Sequence, residues 1–181
     1  MGSPKIVLGY WEIRGLGQPC RLLLSYVGAD FEDKRYYTGP APDYEKKEWF
    51  DEKAKNPYGL AFPNLPYLID GDVRLTQTHA IMRYLGRKYD LIGSNETEIT
   101  RCELAEQQLC DLRNEFVRFS YTPEPQCSKL KPERTEKFRS MLKQFSAFLG
   151  DRKWMAGEKL TFCLFFCTQS NADVDADYAH K

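Results

Sequence analysis

Residues 62–79 read Phe62-Pro63-Asn64-Leu65-Pro66-Tyr67-Leu68-Ile69-Asp70-Gly71, then Val73-Arg74-Leu75-Thr76-Gln77-Thr78-His79. Pro66 stands directly ahead of the strand-like run Tyr67-Leu68-Ile69, and Asp70-Gly71 has the chemistry of a hairpin turn before a second short strand. Proline cannot donate to a sheet ladder, so at a strand start it leaves neighbouring backbone groups free. If the Leu65-Pro66 bond is cis, the chain turns sharply there and Leu65 offers its N–H and C=O to a ligand. If it is trans, as most such bonds are, Pro66 is an ordinary turn residue.

Upstream of this hairpin, Lys5-Ile6-Val7-Leu8-Gly9-Tyr10 reads as a buried strand. Gly15 to Gly28 reads as a helix with Leu16, Leu22, Leu23, Leu24 and Val27 apolar. Phe31 to Tyr37 alternates charged and aromatic residues, as an edge strand does. A strand–helix–strand start implies a parallel, right-handed crossover. Gly39-Pro40-Ala41-Pro42-Asp43 is a loop by composition, and Tyr44 to Lys55 is a charged short helix. A helix from about Thr78 to Tyr89 follows the hairpin. The order predicts one α/β unit over residues 1–89.

Downstream the pattern changes. Residues 90–96 read as a linker, and long helices follow from Thr97. Leu109, Leu112, Phe116 and Phe119 share one face by spacing. Phe138, Met141, Leu142, Phe145, Phe148 and Leu149 form a second stripe, ended by Gly150. Both stripes are read as core. Tyr121-Thr122-Pro123-Glu124-Pro125 breaks the first helix, and Lys131-Pro132 is expected to start the second. An all-helical second domain over residues 90–181 is expected, with 168–181 disordered.

The 181 residues can hold one large domain or two small ones. With 26 basic and 26 acidic side chains the net charge is zero. That argues against an electrostatic footprint for nucleic acid or an anionic membrane. No apolar run approaches a membrane span. Met1-Gly2-Ser3-Pro4-Lys5 lacks the apolar centre of a signal peptide, and Ile6 stands where a myristoylation motif needs Ser or Thr. Cys20, Cys102, Cys110, Cys127, Cys163 and Cys167 show no zinc spacing, so no metal is expected. Reduced thiols in the cytoplasm are the expectation.

Several side chains could carry chemistry. Tyr10 and Trp11 end the first strand just before Arg14-Gly15, where open α/β sheets bind ligands. A tyrosine hydroxyl there could donate to a thiolate, or simply be satisfied in the core. Gln77-Thr78 precede a helix, with Thr78 as its N-cap. Donors at a helix N-terminus attract a carboxylate, although a plain cap accounts for the residues equally well. Trp49 and Lys53 lie four apart on the short helix and could give a wall and a cation to the same ligand, or form a solvated face. Together with the Leu65 backbone these elements suit a small peptide-like anion.

The motifs Gly9-Tyr10-Trp11-Glu12-Ile13-Arg14-Gly15-Leu16, Arg21-Leu22-Leu23-Leu24, Ala41-Pro42-Asp43-Tyr44 and Phe62 to Gly71 closely resemble those of mu-class cytosolic glutathione transferases. Thr76-Gln77-Thr78, Tyr121-Thr122-Pro123-Glu124 and Lys129-Leu130-Lys131-Pro132 match as well. The resemblance runs over residues 5–161, nearly nine-tenths of the chain. It implies a thioredoxin-like N-terminal domain with a cis-proline at Pro66, followed by an all-α domain. It further implies a homodimer that conjugates glutathione to hydrophobic electrophiles, with glutathione as co-substrate and no other cofactor. Tyr10 would hydrogen-bond the glutathione thiolate, and Tyr121 would line the electrophile site and assist some substrates. Trp11, Leu16, Lys46, Trp49, Lys53, Asn64, Leu65, Pro66, Gln77 and Thr78 match glutathione-contacting positions. Asp111 matches the acid that reaches the glutathione of the other subunit. Phe62 matches the aromatic key of the dimer, and Arg83, Arg87, Glu103 and Glu106 match charged positions of that interface. Lys46 stands where the family often has Arg, which keeps the charge but loses the fork geometry.

The resemblance stops after Phe162. The family opens a buried helix at the place of Thr161 with an Asp three residues on. Leu164 stands there instead, a loss of capping that costs on the order of 1 kcal/mol. Family chains continue with further helices, so this chain is expected to expose apolar sides of its two long helices. A glutathione-binding or dimer-partner variant with weak catalysis is therefore the alternative to an active transferase.

Overall fold

The computed structural model describes residues 5–167. The chain divides into two compact units, residues 1–89 and 90–181. The expectation of disorder over 168–181 lies outside the described residues.

In the first unit four strands form one mixed sheet: β1 (Ile6–Trp11), β2 (Phe31–Tyr36), β3 (Tyr67–Asp70) and β4 (Val73–Thr76), in the spatial order β2-β1-β3-β4. β1 runs parallel to β2, from Ile6 opposite Phe31 to Trp11 opposite Tyr36. It runs antiparallel to β3, with Leu8 opposite Leu68 and Gly9 opposite Tyr67. Three helices accompany the sheet: α1 (Gln18–Tyr26), α2 (Lys47–Lys55) and α3 (Thr78–Lys88). Ile6, Leu8 and Tyr10 of β1 are buried, as are Cys20, Leu23 and Leu24 of α1 and Ile81, Met82 and Leu85 of α3. This is the thioredoxin-like arrangement that the motifs implied.

Two helix starts differ from the sequence reading. The segment from Gly15 begins as a 3-10 turn, Gly15–Gly17, and the α-helix starts at Gln18 with Pro19 in its first turn. The second helix starts at Lys47 rather than Tyr44. Tyr44 takes a left-handed φ of 43°, and its N–H closes a turn onto the Pro40 carbonyl, at 3.1 Å. A left-handed residue cannot be the first turn of an α-helix.

The second unit is helical: α4 (Glu96–Ser120), α5 (Gln126–Leu149) and the short α6 (Leu164–Cys167). α4 starts inside the expected linker. Asn95 caps it by accepting the Glu98 N–H at 3.0 Å, and the Glu98 carboxylate accepts the Ser94 N–H at 2.6 Å. That is a capping box one residue out of step with its usual donor. α5 starts at Gln126, so Pro132 lies inside the helix rather than at its start. The Glu124 carboxylate explains the early start. It accepts both the N–H and the hydroxyl of Ser128, at 3.3 and 2.9 Å, and so satisfies one first-turn N–H, while the Cys127 N–H donates to the Pro123 carbonyl at 3.1 Å.

The apolar stripes are core only in part. Cys102, Ala105, Leu109 and Leu112 of α4 are buried, as are Met141 and Phe145 of α5, and Phe116 and Phe119 meet Phe138 at ring distances of 6.2 and 6.4 Å. Leu142 of the second stripe remains 56% exposed, as does Leu104, one turn ahead of the first stripe on α4. Thr161 is buried, with its hydroxyl 3.4 Å from the Cys163 sulfur. No helix among the described residues is long and apolar enough to cross a membrane.

Candidate active site

Tyr10 ends the buried part of β1, and its hydroxyl oxygen accepts the Leu16 N–H at 2.9 Å. That bond places the phenol under the 3-10 turn. Gly15 makes the fit possible: its φ is +35°, and a Cβ there would lie 2.6 Å from the Tyr10 hydroxyl oxygen. The loop leaving β1 is held by Arg21, buried on α1. Its guanidinium donates to the carbonyls of Ile13 and Trp11, at 2.7 and 3.1 Å, and its Nε–H is shared between the two Asp33 carboxylate oxygens at 3.0 and 3.1 Å. One fixed cation thus organises the turn that carries Tyr10. Trp11 is half-buried beside it, with the Lys46 ammonium 5.9 Å from its ring centroid.

The Leu65-Pro66 bond is cis. Strand pairing between β1 and β3 ends at Gly9 opposite Tyr67, so Leu65 and Pro66 lie beyond the paired ladder. Leu65 is buried in one cluster with Tyr10, Tyr36, Trp49, Leu60 and Tyr67. The sequence-predicted residues Tyr10, Trp49 and Leu65 are therefore neighbours in one core. Asn64 is exposed beside this turn, as are Lys46 and Lys53 on and before α2.

At the α3 end, Gln77 has φ 73° and ψ 113°, a strained backbone for a side-chain-bearing residue. Gln77, not Thr78, is the N-cap position of α3, and no side-chain cap bond is made there. Thr78 is the first helical residue. Its buried hydroxyl donates to the Leu16 carbonyl at 3.0 Å and ties α3 to the 3-10 turn. The expected capping role of Thr78 is thus replaced by a tertiary bond. Tyr10, Leu16 and Thr78 form a continuous chain in which Leu16 gives its N–H to one hydroxyl and its C=O to the other.

The remaining predicted residues lie as follows. Phe62 is 76% exposed and Tyr121, at the C-terminal end of α4, is 65% exposed. Asp111, Glu103 and Arg87 are exposed and Arg83 is half-buried. Glu106 is fully buried within the chain, on the core face of α4, which removes it from any outer surface. Among the described residues no cluster of three or more His, Cys, Asp or Glu could hold a metal ion.

The family described as glutathione S-transferase, N-terminal domain, matches residues 6–87. A glutathione S-transferase of Dermatophagoides pteronyssinus is 50% identical over 159 residues, covering 88% of this chain and 71% of the relative. Glutathione S-transferase Mu 4 of Mus musculus is 49% identical over 160 residues, covering 88% of this chain and 72% of its own. Among solved structures, the glutathione S-transferase Blo t 8 superposes with a TM-score of 0.79 at 34% identity, over 88% of this chain and 72% of that one. The chain belongs to the glutathione S-transferase family.

Within this glutathione S-transferase, three residues of the candidate site are not among those the sequence singles out. Arg21 reads only as part of a helix motif, because its burial is not visible in the sequence. Gly15 reads as a helix start, although its place after Arg14 in a strand-to-helix turn suits a positive φ. Glu52, between Trp49 and Lys53, reads as one more charge on a solvated helix. Its carboxylate is held by Lys34 Nζ at 2.8 and 2.9 Å and by the Tyr36 hydroxyl at 2.5 Å. Burial alone would raise the Glu52 pKa. The bonds from Lys34 and Tyr36 outweigh it and hold the carboxyl below its ordinary value.

Proposed function

We propose that this chain conjugates the thiolate of glutathione to electrophilic small molecules, with Tyr10 as the hydrogen-bond donor to the sulfur. The observation that carries the proposal is the anchoring of the Tyr10 hydroxyl by Leu16 N–H in the cluster that also holds Leu65 and Trp49. With its oxygen already accepting a backbone N–H, the phenol is suited to donate. Leu65, beyond the end of the sheet ladder, would meet the cysteinyl backbone of glutathione beside Pro66. Lys46, Trp49 and Lys53 would hold one carboxylate. Gln77 and the Thr78 backbone N–H, at the α3 N-terminus, would hold the other. Trp11, Leu16 and Asn64 would line the same cleft.

A free thiol has a pKa near 8.5, so little is thiolate at neutral pH. Lowering it by about two units requires roughly 2.7 kcal/mol of preference for the charged form. A charge-assisted bond from Tyr10 together with nearby helix dipoles is of that size. The sulfur lone pair then forms a carbon–sulfur bond, and the electrons leave with the electrophile's leaving group or enter its conjugated system. Tyr121 would face the electrophile.

The protein would act as a homodimer in the cytoplasm, where its free cysteines suit a reducing compartment. Phe62 of one copy would enter the apolar groove on the helical unit of the other, lined by Leu104, Ala105, Phe145 and Phe148. Arg83, Arg87 and Glu103 would flank that contact, and Asp111 would reach the glutathione of the other copy. Glu106, being buried, is left out of the interface.

The test is Tyr10→Phe. Ultraviolet absorbance of bound thiolate should show the glutathione pKa moving up towards its free value, with conjugation at neutral pH falling in step. An unchanged thiol pKa and unchanged turnover would remove Tyr10 from this role. Retention on glutathione resin without turnover by the unmodified chain would reduce the function to binding.

A further inference from the structure

Beneath the proposed glutathione pocket lies a polar network that no step above uses. On α2, Trp49, Glu52 and Lys53 stand at i, i+3 and i+4, on adjoining positions of one helical stripe. Trp49 and Glu52 turn inward and Lys53 is exposed. Glu52 accepts from Lys34 and from Tyr36, which share one face of β2. Lys34 also donates to the Tyr58 hydroxyl at 2.8 Å, and the Tyr36 and Tyr67 hydroxyls meet at 2.8 Å. The rings continue the contact. Tyr36 meets Trp49 edge-on at 5.2 Å, and Tyr67 stacks on Trp49 at 6.2 Å.

Tyr67 is the residue directly after Pro66, and it reaches the network by crossing β1 at Gly9. A Cβ at position 9 would sit 2.2 Å from the Tyr67 ring, so only glycine leaves that path open. One set of hydrogen bonds therefore joins β2, α2 and the start of β3. The two halves of the proposed pocket, the α2 side with Trp49 and Lys53 and the turn with Leu65 and Pro66, are tied to it from below.

We infer that the Lys34–Glu52–Tyr36–Tyr67 network is a positioning device for glutathione binding, fixing the Trp49 indole and the Lys53 ammonium against the Leu65-Pro66 turn. Hydrogen bonds partly shielded from solvent are directional and hold a helix at one height and one rotation, which apolar contact alone does not. The network's charges are matched, one carboxylate against one ammonium with phenols filling the remaining sites, so removing a single member leaves the others unsatisfied. Glu52, Lys34, Tyr36 and Tyr67 are positioning residues: they act through Trp49 and Lys53 rather than on glutathione. The inference rests on the function proposed above.

The experiment compares Glu52→Gln and Tyr36→Phe with the unmodified chain by calorimetric titration with glutathione and by steady-state conjugation. Glu52→Gln should weaken glutathione binding about tenfold, a change of ~1.4 kcal/mol. Its turnover at saturating glutathione and its bound-thiol pKa should stay unchanged. Tyr36→Phe, which removes one oxygen and keeps the ring packing, should act in the same direction and more weakly. Lys34→Arg should preserve most of the affinity, because it keeps the cation. The decisive comparison is a double-mutant cycle with Trp49→Phe: in that background Glu52→Gln should lose most of its effect. Full additivity of the two changes would overturn the inference, as would wild-type glutathione affinity in both Glu52→Gln and Tyr36→Phe. If the unmodified chain neither binds glutathione nor conjugates it, the proposed function falls and this inference with it. If the unmodified chain does both and the variants match it, only the positioning role falls.

Discussion

In the sheet unit, the Glu52 carboxylate gathers Lys34 and Tyr36, and Tyr36 passes the bond on to Tyr67. In the helical unit, α4 meets α5 through Phe116 and Phe119 against Phe138, and the half-buried Glu115 carboxylate pairs with Arg118, Arg134 and Lys137. The bonded phenols of the first arrangement specify angles and distances, and the aromatic packing of the second mainly excludes water. Apolar packing tolerates small shifts of a helix at little cost, whereas a half-buried hydrogen-bond network does not. Damage to the helical core should therefore appear as lost stability, and damage to the sheet unit as lost stability coupled to lost glutathione affinity.

The largest effect is expected at Leu109, buried on α4. Leu109→Ala should cost ~2–5 kcal/mol in denaturant unfolding of the helical unit, from lost transfer energy and the cavity left behind. Calorimetric glutathione affinity of the folded protein should change by less than about twofold. A large affinity loss in a well-folded Leu109→Ala protein would break the contrast. Next comes Gly9→Ala, whose new methyl group would collide with the Tyr67 ring. Overpacking of this kind costs ~1–3 kcal/mol. Here glutathione binding should weaken together with stability, because the displaced ring is the one stacked on Trp49.

The contrast also explains what could be read from the chain itself. The Pro66 hairpin, the parallel start and the neighbourhood of Tyr10, Trp49 and Leu65 were legible because each rests on local signals: a turn dipeptide, a strand end, a four-residue helical spacing. The Glu52 network was not, because Lys34, Glu52, Tyr58 and Tyr67 come from four separate segments and each alone reads as a surface or strand residue. Thr78 had every mark of an N-cap, and a long-range bond to the Leu16 carbonyl took its hydroxyl instead. Glu106 carried a charge that argued for the surface, yet it lies on the core face of α4. Pro132 looked like a helix start because its ring suits a first turn, but the Glu124 carboxylate had already opened the helix upstream.

The pH dependence of stability, compared between the unmodified chain and Glu52→Gln, should isolate the Glu52 charge. Glu52 has its carboxyl held below the ordinary value of 4.5 by Lys34 and Tyr36, against the opposing effect of burial. A depressed carboxyl pKa contributes stability that is present above the unfolded-state value and is lost as pH falls through the folded one. Melting temperatures of the unmodified chain and of Glu52→Gln should thus differ most near neutral pH. The two should converge as pH drops below about 4.5, the ordinary value for this group. Lys34 works in the opposite sense. Burial lowers its pKa, but the bonds to Glu52, Tyr58 and Tyr36 prevail and hold it above 10.5, so its contribution persists through neutral pH and fades only in strong alkali. A gap between the two proteins that stayed constant into acid would mean that the Glu52 charge does not stabilise the fold.

The smallest effect is the cleanest control on the contrast. Asn95 lies at the start of α4, where its side-chain oxygen accepts the Glu98 N–H at 3.0 Å. Asn95→Ala should cost ~1 kcal/mol, the usual worth of an N-cap. The Glu98 carboxylate would still accept the Ser94 N–H, so half of the capping box survives and the helix frays rather than unwinds. Tyr36→Phe removes both bonds of the Tyr36 hydroxyl, to Glu52 and with Tyr67, and at about 1 kcal/mol each should lose on the order of 2 kcal/mol. Both folded proteins can then be compared for glutathione. Asn95→Ala should bind it as the unmodified chain does, and Tyr36→Phe should bind it more weakly. Equal affinities in this pair would show that the orientation of α2 does not govern the pocket.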